Sequence, residues 1–301
     1  MFSSEKPIFR GAATALVTPF RGGVPDLDAL RELIRIQLAG KIDALLICGT
    51  TGESSALSRK ERCSLIKCAS EAVRGRVPLI AGAGSNNTEK AILLTKDACE
   101  AGADAILSVT PYYNKASPDG LIRHFTAIAD ASPKPVLLYN VPSRTGVDLP
   151  LPVLRTLARH PNITGIKEAS GSMEKIASIA AELCGEGFSL YCGSDELTLP
   201  VLSVGGAGVF SVLSNLLPEQ VSMLCELYFS RQNERAAALS ARLFPLIRAL
   251  FLEVNPIPVK AALAACGRIR EEYRLPLCSP SAETRLRLSD AMKDSGFFPE
   301  L

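Results

Sequence analysis

The 301-residue sequence contains no tryptophan and only two histidines, His124 and His160. With so few imidazoles, a histidine-based metal centre or a Ser–His–Asp hydrolase is poorly supported, and we predict that both histidines lie on helix surfaces. The nine cysteines are odd in number, form no CxxC pair and fall partly in apolar runs such as LLICG and LYCG. This pattern is typical of buried, reduced thiols rather than of a disulfide framework or a zinc site.

The sequence also has little net charge and no long apolar run. A net charge of +2 gives no electrostatic reason to expect binding to nucleic acid or to a membrane surface. No apolar stretch approaches the roughly 18 residues of a membrane span. The first residues, MFSSEKPIFRG, contain no apolar core of a secretory signal. We therefore expect a soluble, cytoplasmic protein with no nucleic-acid or membrane partner.

Dinucleotide and nucleotide phosphate motifs are absent. The segment GAGSNN (82–87) lacks the third glycine of GxGxxG, and no GxxxxGK[ST] occurs. A doubly wound open sheet is therefore less well supported than a barrel. Short β-rich runs alternate with helical stretches, which predicts eight strand–helix units and a (β/α)8 TIM barrel. The predicted strands are 13–18, 43–49, 77–82, 104–110, 135–140, 163–167, 188–193 and 207–212.

Helices are predicted between these strands from apolar residues at helical spacing. The stretch 27–39 is the clearest, and 57–73 and 88–101 are similar. The apolar face of the stretch 27–39 consists of Leu27, Leu30, Leu33, Ile34 and Leu38. After about residue 230 the strand signal stops, and 233–253, 256–267 and 281–294 read as three helices. We predict a barrel over residues 1–230 and a C-terminal helical extension over 231–301, packed on the barrel.

Chemically useful residues follow several of the predicted strands. Because the carboxyl ends of parallel barrel strands meet at one rim, these residues should converge there. They are GTTGES (49–54), TPYYN (110–114), YNVPSRTG (139–146), Lys167 and CGSDE (192–196). GTTGES could present N–H groups to an anion or be a plain turn. A tyrosine can relay protons and an arginine can hold a carboxylate, although either residue alone is more often structural.

Lys167 stands where the apolar run NITGI gives way to small residues. It could be solvated, paired with Glu168 or Glu53, or buried as a chemical group. Burial disfavours the charged form of lysine, and a neutral amine can attack a ketone to form a Schiff base. Its place among threonine, tyrosine and arginine residues favours the third interpretation.

The motifs, taken together and in order, resemble those of a known superfamily. GTTGES, VTPYYN, YNVPSRTG, GIKEASG and NPIPVK (255–260) follow one another along nearly the whole chain. The sequence thus resembles the pyruvate-dependent class I aldolases of the dihydrodipicolinate synthase and N-acetylneuraminate lyase superfamily. The resemblance implies a TIM barrel that forms a Schiff base between Lys167 and pyruvate, with no metal or organic cofactor.

The resemblance also implies roles for the other rim residues. Tyr139, Thr51 and Tyr113 would form a proton relay, and Tyr113 would reach the neighbouring subunit of a tight dimer, with a dimer of dimers as the expected assembly. Thr50 and Thr51 would hold the pyruvate carboxylate, and Arg144 would hold the carboxylate of aspartate semialdehyde. The remaining substrate-pocket positions are Gly193 and Phe210, and relatives usually carry an aliphatic residue at the position of Phe210.

Two other functions stay open from the sequence. One is a pyruvate-dependent lyase or aldolase that acts on a 2-keto sugar acid or on 4-hydroxy-2-oxoglutarate. Arg144 argues against it, because an arginine suits a short aldehyde acid better than a hydroxylated substrate. The other is a non-catalytic barrel that retains pyruvate affinity. Such a protein would lack a relay residue, whereas Thr51, Tyr113, Tyr139 and Lys167 are all present.

We predict weak or absent feedback inhibition by lysine. In regulated relatives the lysine pocket lies at the tight-dimer interface, and the matching positions here are Ser54, Ser55, Arg59, Arg62, Asn86, Lys90 and Tyr112. Regulated members carry an acidic residue where this chain has Lys90, so positive charge would meet a cationic ligand and oppose binding. A lysine titration of the condensation rate checks this, and strong inhibition at sub-millimolar lysine would contradict it.

Overall fold

The computed structural model describes residues 7–185 and 187–298. Eight parallel strands close into a barrel in the order β1-β10-β9-β8-β7-β6-β5-β4, which confirms the predicted (β/α)8 architecture. β2 and β3 form a separate antiparallel pair that the sequence did not suggest. The strands are β1 Gly11–Ala15, β2 Phe20–Arg21, β3 Val24–Pro25, β4 Ala44–Ile47, β5 Leu79–Gly82, β6 Ala105–Val109, β7 Val136–Asn140, β8 Ile163–Glu168, β9 Ser189–Cys192 and β10 Gly208–Ser211.

Helices surround the barrel at the predicted places. The first spans the predicted 27–39 and buries Leu30, Leu33 and Ile34, and Asp26 caps it by accepting a hydrogen bond from the Ala29 N–H. The helices are α1 Leu27–Ala39, α2 Arg59–Val73, α3 Thr88–Glu100, α4 Pro118–Ala131, α5 Pro142–Thr145, α6 Leu151–Leu157, α7 Met173–Leu183, α8 Thr198–Ser203, α9 Pro218–Phe229, α10 Asn233–Ala249, α11 Ile257–Ala265 and α12 Ala282–Asp294.

The barrel interior is a packed core of small and branched side chains, such as Ala13, Leu46, Ile80 and Leu137, and is closed by aromatic rings. Phe9 stacks on Tyr191 with ring centroids 4.4 Å apart. Phe210 on β10 contacts both rings edge-on, at 5.2 and 5.5 Å. The interior is therefore filled below the carboxyl ends of the strands, which leaves space for a ligand at the rim above them.

The three predicted C-terminal helices are α10, α11 and α12. α11 is tied to the barrel rim by a buried ion pair between Lys260 Nζ and Glu53 Oε1, 2.5 Å apart with both side chains almost fully buried. Glu53 belongs to the GTTGES loop and also accepts the Arg274 N–H at 3.1 Å. This pair fixes the loop after β4 against the C-terminal segment. The division into two domains at residue 230 stays a prediction.

The prediction for the two histidines was wrong. His124 lies on α4 but is buried, its Nδ1 is 2.9 Å from Thr88 Oγ1, and burial lowers its pKa to about 4. His160 follows α6 and contacts Asp130 at 3.0 Å. The helical spacing of the sequence could not show that α4 turns His124 towards α3. Within residues 7–185 and 187–298, no helix has the length and apolar character of a membrane span.

Candidate active site

The carboxyl ends of the strands bring most of the predicted residues to one rim. Lys167 is the penultimate residue of β8 and is paired in register with Tyr139 on β7 and Tyr191 on β9. The GTTGES loop follows β4, and Arg144 lies on α5, directly after β7. The convergence expected from strand order alone is therefore what the barrel produces.

Lys167 is buried, with 6% of its surface exposed. Its Nζ lies 4.4 Å from the centre of the Tyr139 ring and 5.2 Å from that of Phe210. Burial lowers the pKa of Lys167 to about 8, and the charge of Arg144 acts in the same direction, whereas Asp195 opposes it. A fraction of the amine is therefore neutral at neutral pH.

The ion-pair alternatives for Lys167 do not hold. Glu168 accepts hydrogen bonds from Asn140 Nδ2 at 2.9 and 3.2 Å and from the Ser170 N–H at 2.6 Å. Glu53 is paired with Lys260. Among the described residues, no carboxylate lies within ion-pair distance of Lys167. Any stabilisation of its positive charge by a carboxylate therefore acts at longer range.

Asp195 supplies that longer-range charge and was not singled out from the sequence. It lies in CGSDE after β9, where its Oδ2 accepts the N–H groups of Val212 and Leu213 at 2.8 and 3.1 Å. Burial raises its pKa, while these hydrogen bonds and Lys167 lower it. In the sequence, the one feature that pointed to this buried carboxylate was the polar segment CGSDE at the end of an apolar strand.

The Tyr139 hydroxyl lies close to the Thr50 side chain, and the relay through Thr51 that the resemblance implies stays a prediction. Burial raises the pKa of the Tyr139 hydroxyl, and the charge of Arg144 and a hydrogen bond with the Thr50 side chain lower it. Thr51 Oγ1 accepts a hydrogen bond of 2.9 Å from Asn255 Nδ2. Adjacent loop residues project differently, and the sequence could not show which of the two hydroxyls meets the tyrosine.

Tyr113 stands apart from the other site residues within one chain. It is 90% exposed, and its φ of 73° lies in the left-handed region that non-glycine residues rarely adopt. The neighbouring Tyr112 is 37% exposed. An aromatic side chain held outward on a strained backbone is not packed by its own chain.

Arg144 is exposed, and its Nη2 donates to the Asn255 carbonyl oxygen at 3.3 Å. It lines a cavity of about 470 Å³ that also contains Thr50 and most of the expected regulatory positions. Those positions are Ser54, Ser55, Arg59, Arg62, Lys90 and Tyr112. Asn86 does not line it, and its carbonyl oxygen accepts a hydrogen bond from Asn114. The entrance to the site and the expected regulatory positions therefore share one open space in this chain.

The positive charges of this cavity are held in different ways. Arg59 pairs with Asp97 on α3 through both of its carboxylate oxygens. Arg62 is buried and donates to the carbonyl oxygens of Ser54 and Gly82. Lys90 lies in the first turn of α3. Arg62 and Lys90 have no carboxylate partner among the described residues, so the cavity carries excess positive charge.

Gly193 and Phe210 shape the surroundings of Lys167. A side-chain carbon at position 193 would lie 2.6 Å from Ala169 Cβ and 3.2 Å from Lys167 Cε, so no larger residue fits there without moving the lysine. Phe210 is fully buried and forms part of the floor. Within the described residues, no cluster of His, Cys, Asp and Glu side chains has the geometry of a metal site.

Fold and site together define a class. A (β/α)8 barrel that buries an unpaired lysine at its carboxyl rim, beside tyrosine and threonine hydroxyls, belongs among the barrels that can use an amine as a nucleophile towards carbonyl compounds.

Comparison with known proteins identifies the family. The family described as the dihydrodipicolinate synthetase family matches residues 8–295. The 4-hydroxy-tetrahydrodipicolinate synthase of Nitratidesulfovibrio vulgaris is 48% identical, over 96% of this chain and 99% of the relative. That of Syntrophus aciditrophicus is 46% identical with the same coverage. A solved structure of the enzyme from Methylacidiphilum fumariolicum superposes with a TM-score of 0.93 at 44% identity, over 95% of this chain and 96% of that one. The chain belongs to the dihydrodipicolinate synthetase family.

Replacement of Lys167 by Met should stabilise the fold at pH 7. Lys167 has a pKa of about 8 when folded, against an ordinary value of 10.5. Below pH 8 the folded protein holds a buried charge, which corresponds to about 3 kcal/mol at ~1.4 kcal/mol per pKa unit. Between pH 8 and 10.5 the unfolded chain binds more protons, so the stability of the native protein rises with pH and the advantage of the variant shrinks. Urea unfolding at pH 7 and pH 10.5 measures both.

The exposed Lys96 on α3 offers a matched control. Lys96→Met should show no pH-dependent change in the free energy of unfolding relative to the native protein. A Lys167→Met variant that is less stable than the native protein at pH 7, or that has an equal advantage at both pH values, would contradict the buried-charge interpretation.

Proposed function

We propose that this chain is a 4-hydroxy-tetrahydrodipicolinate synthase, which condenses pyruvate with L-aspartate 4-semialdehyde at the committed step of the diaminopimelate route to lysine. The single observation that carries the proposal is the burial of Lys167, unpaired and with its pKa lowered to about 8, at the carboxyl rim. Relatives that share 46–48% of its residues carry this name. The activity makes the protein a lyase of the class I aldolase type.

The chemistry begins at Lys167 Nζ. The neutral amine adds to the C2 carbonyl carbon of pyruvate, and loss of water from the adduct leaves a protonated imine. The imine accepts the electron pair released when a methyl proton is removed, which gives an enamine. The enamine carbon then attacks the aldehyde carbon of the second substrate, whose oxygen takes a proton. Attack of the second substrate's own amine on the imine carbon displaces Lys167 and closes the ring.

Proton transfer in these steps is assigned to the hydroxyls beside the lysine. Tyr139 is buried and its ring lies 4.4 Å from Lys167 Nζ, so it can exchange protons with groups on the substrate. Its contact with Thr50 favours a relay through Thr50, with Thr51 left to bind the pyruvate carboxylate. Tyr113 would complete the relay in the neighbouring subunit, which accounts for its outward position on a strained backbone.

An active site that needs Tyr113 from a second copy requires a tight dimer, and we propose a homotetramer built from two such dimers, acting in the cytoplasm. The substrates are both small carboxylates, and the excess positive charge of the entrance cavity, with Arg62, Lys90 and Arg144 on its walls, favours their entry.

Borohydride reduction in the presence of pyruvate tests the mechanism. Reduction converts the imine into a stable secondary amine, so mass spectrometry of proteolytic fragments should find one pyruvyl adduct, at Lys167. The Lys167→Ala variant should show none. An adduct on another lysine of a folded native protein, or no adduct at all, would refute the proposed nucleophile.

Substitution of Arg144 tests the identity of the second substrate. A guanidinium that binds a carboxylate contributes a charge-assisted hydrogen bond, so Arg144→Ala should lower kcat/KM for aspartate semialdehyde by about 10²-fold. The pyruvate adduct at Lys167 should still form. Arg123→Ala, which removes an exposed arginine of α4, is the control and should leave the rate unchanged. Undiminished use of aspartate semialdehyde by Arg144→Ala would favour a lyase acting on a 2-keto sugar acid or 4-hydroxy-2-oxoglutarate.

A further inference from the structure

Asn255 lies at the rim beside two residues of the proposed site, Thr51 and Arg144. It lies in the segment between α10 and α11 and is buried, with 6% of its surface exposed. Its side-chain Nδ2 donates to Thr51 Oγ1 at 2.9 Å, and its main-chain carbonyl oxygen accepts from Arg144 Nη2 at 3.3 Å. One residue of the C-terminal segment thus contacts both residues assigned to substrate carboxylates.

The bond to Thr51 decides which way its hydroxyl points. A hydroxyl has one proton to donate and two lone pairs to accept with. Because Thr51 Oγ1 accepts the amide proton of Asn255, one lone pair is occupied on that side and the hydroxyl proton turns elsewhere. Thr51 lines a small cavity of about 40 Å³ together with Thr50, Tyr139 and Lys167. The Thr51 hydroxyl is therefore available as a donor inside the chamber that contains the amine.

A carboxylate needs this orientation. It accepts hydrogen bonds and cannot donate them, so a hydroxyl can bind it only with its proton. Had an acceptor stood in the place of the Asn255 amide group, the Thr51 proton would turn outward. Its lone pairs would then face the carboxylate and repel it.

The rest of the Asn255 side chain is not used by the fold. Its Oδ1 is buried and has no hydrogen-bond partner among the described residues. Burial of an acceptor without a partner opposes folding, and such groups in native structures ask for an explanation. The Asn255 side chain makes its hydrogen bond to a hydroxyl of the site and leaves its buried oxygen without a partner. This arrangement fits a role in the site better than a role in stability.

We propose that Asn255 is a positioning residue that holds the Thr51 hydroxyl as a hydrogen-bond donor towards the carboxylate of pyruvate. The inference rests on the proposed function, since it assumes that pyruvate binds at Lys167. Asn255 acts on substrate binding through Thr51 and does not itself take part in the proton transfers.

Asn255→Asp tests the orientation with almost no change of shape. The carboxylate replaces the amide donor with an acceptor, so the Thr51 proton turns to it and is lost to pyruvate. KM for pyruvate should rise about 10- to 100-fold, the loss of one charge-assisted hydrogen bond, while kcat at saturating pyruvate stays within about threefold. The Arg144 contact is made by the main chain, so KM for aspartate semialdehyde should change little.

The pH dependence of this variant separates orientation from shape. Burial raises the pKa of a carboxyl group, and once protonated it can again donate to Thr51. The ratio of KM for pyruvate in the variant to that in the native protein should therefore fall as pH is lowered from about 8.5 to about 6. The charged and titrating groups on the surrounding elements are Lys167, Tyr139, Arg144 and the Glu53–Lys260 pair. They are common to both proteins, so the ratio at each pH removes much of their own contribution.

Asn162→Asp is the matched control. Asn162 precedes β8 at the far end from the rim, and its Nδ2 donates to the carbonyl oxygens of Ala129 and Ser132 at 2.9 and 2.8 Å. The same exchange of amide for carboxylate should lower the stability of the protein but leave KM for pyruvate unchanged. A second test of the coupling between these two residues uses the substitutions Asn255→Ala and Thr51→Val, singly and together. Asn255→Ala should raise KM in the native background and have no further effect once Thr51 has lost its hydroxyl.

Trapping with borohydride at saturating pyruvate distinguishes a failure of the role of Asn255 from a failure of the proposed function. If the adduct forms in the native protein and KM for pyruvate is unchanged in both Asn255 variants, or the loss falls on kcat, the role of Asn255 is overturned and the proposed function stands. If the native protein forms no adduct, the proposed function fails and this inference fails with it. An adduct together with raised, pH-sensitive KM supports both.

Discussion

A lysine ammonium removed from water must either be paired or lose its charge, and this chain buries two lysines at the same rim. Lys260 is paired with Glu53 at 2.5 Å, which preserves its charge and locks the GTTGES loop to α11. Lys167 has no such partner, and burial lowers its pKa to about 8. The surroundings of Lys167 depend on this ion pair, because the loop that Lys260 fixes presents hydroxyl groups beside Lys167.

Much of this arrangement could be predicted from the sequence. The strands are short, apolar and evenly spaced, and a closed parallel barrel places every carboxyl end at one rim, so Lys167, Tyr139 and Arg144 had to converge once the strand order was known. The helix 27–39 was predicted to its last residue from its apolar stripe, and in the structure Asp26 caps its first turn. Predictions succeeded where local pattern and global topology supply the same information.

What the sequence could not supply is the direction of individual side chains. Whether Thr50 or Thr51 meets Tyr139 depends on the path of a loop whose backbone takes left-handed conformations at Cys48 and Glu53. Asn255 reaches Thr51 from 204 residues away in the chain, through a turn before α11 that no periodicity describes. His124 was misplaced for a related reason, since helical spacing shows which residues share a face but not which neighbour that face meets.

Several departures from ordinary protein structure lie at the carboxyl rim of the barrel. The loops after β4 and β6 carry Glu53 and Tyr113 at positive φ, Lys167 is desolvated, and Asn255 leaves an acceptor open. Each of these opposes folding, and the packed interior and the Lys260–Glu53 pair hold them in place. Tyr113 differs from Lys167 and Asn255 in that its own chain leaves the ring 90% exposed. In the assembly that we propose, a second copy packed there would cover this ring, and the Tyr113 hydroxyl would join those beside Lys167.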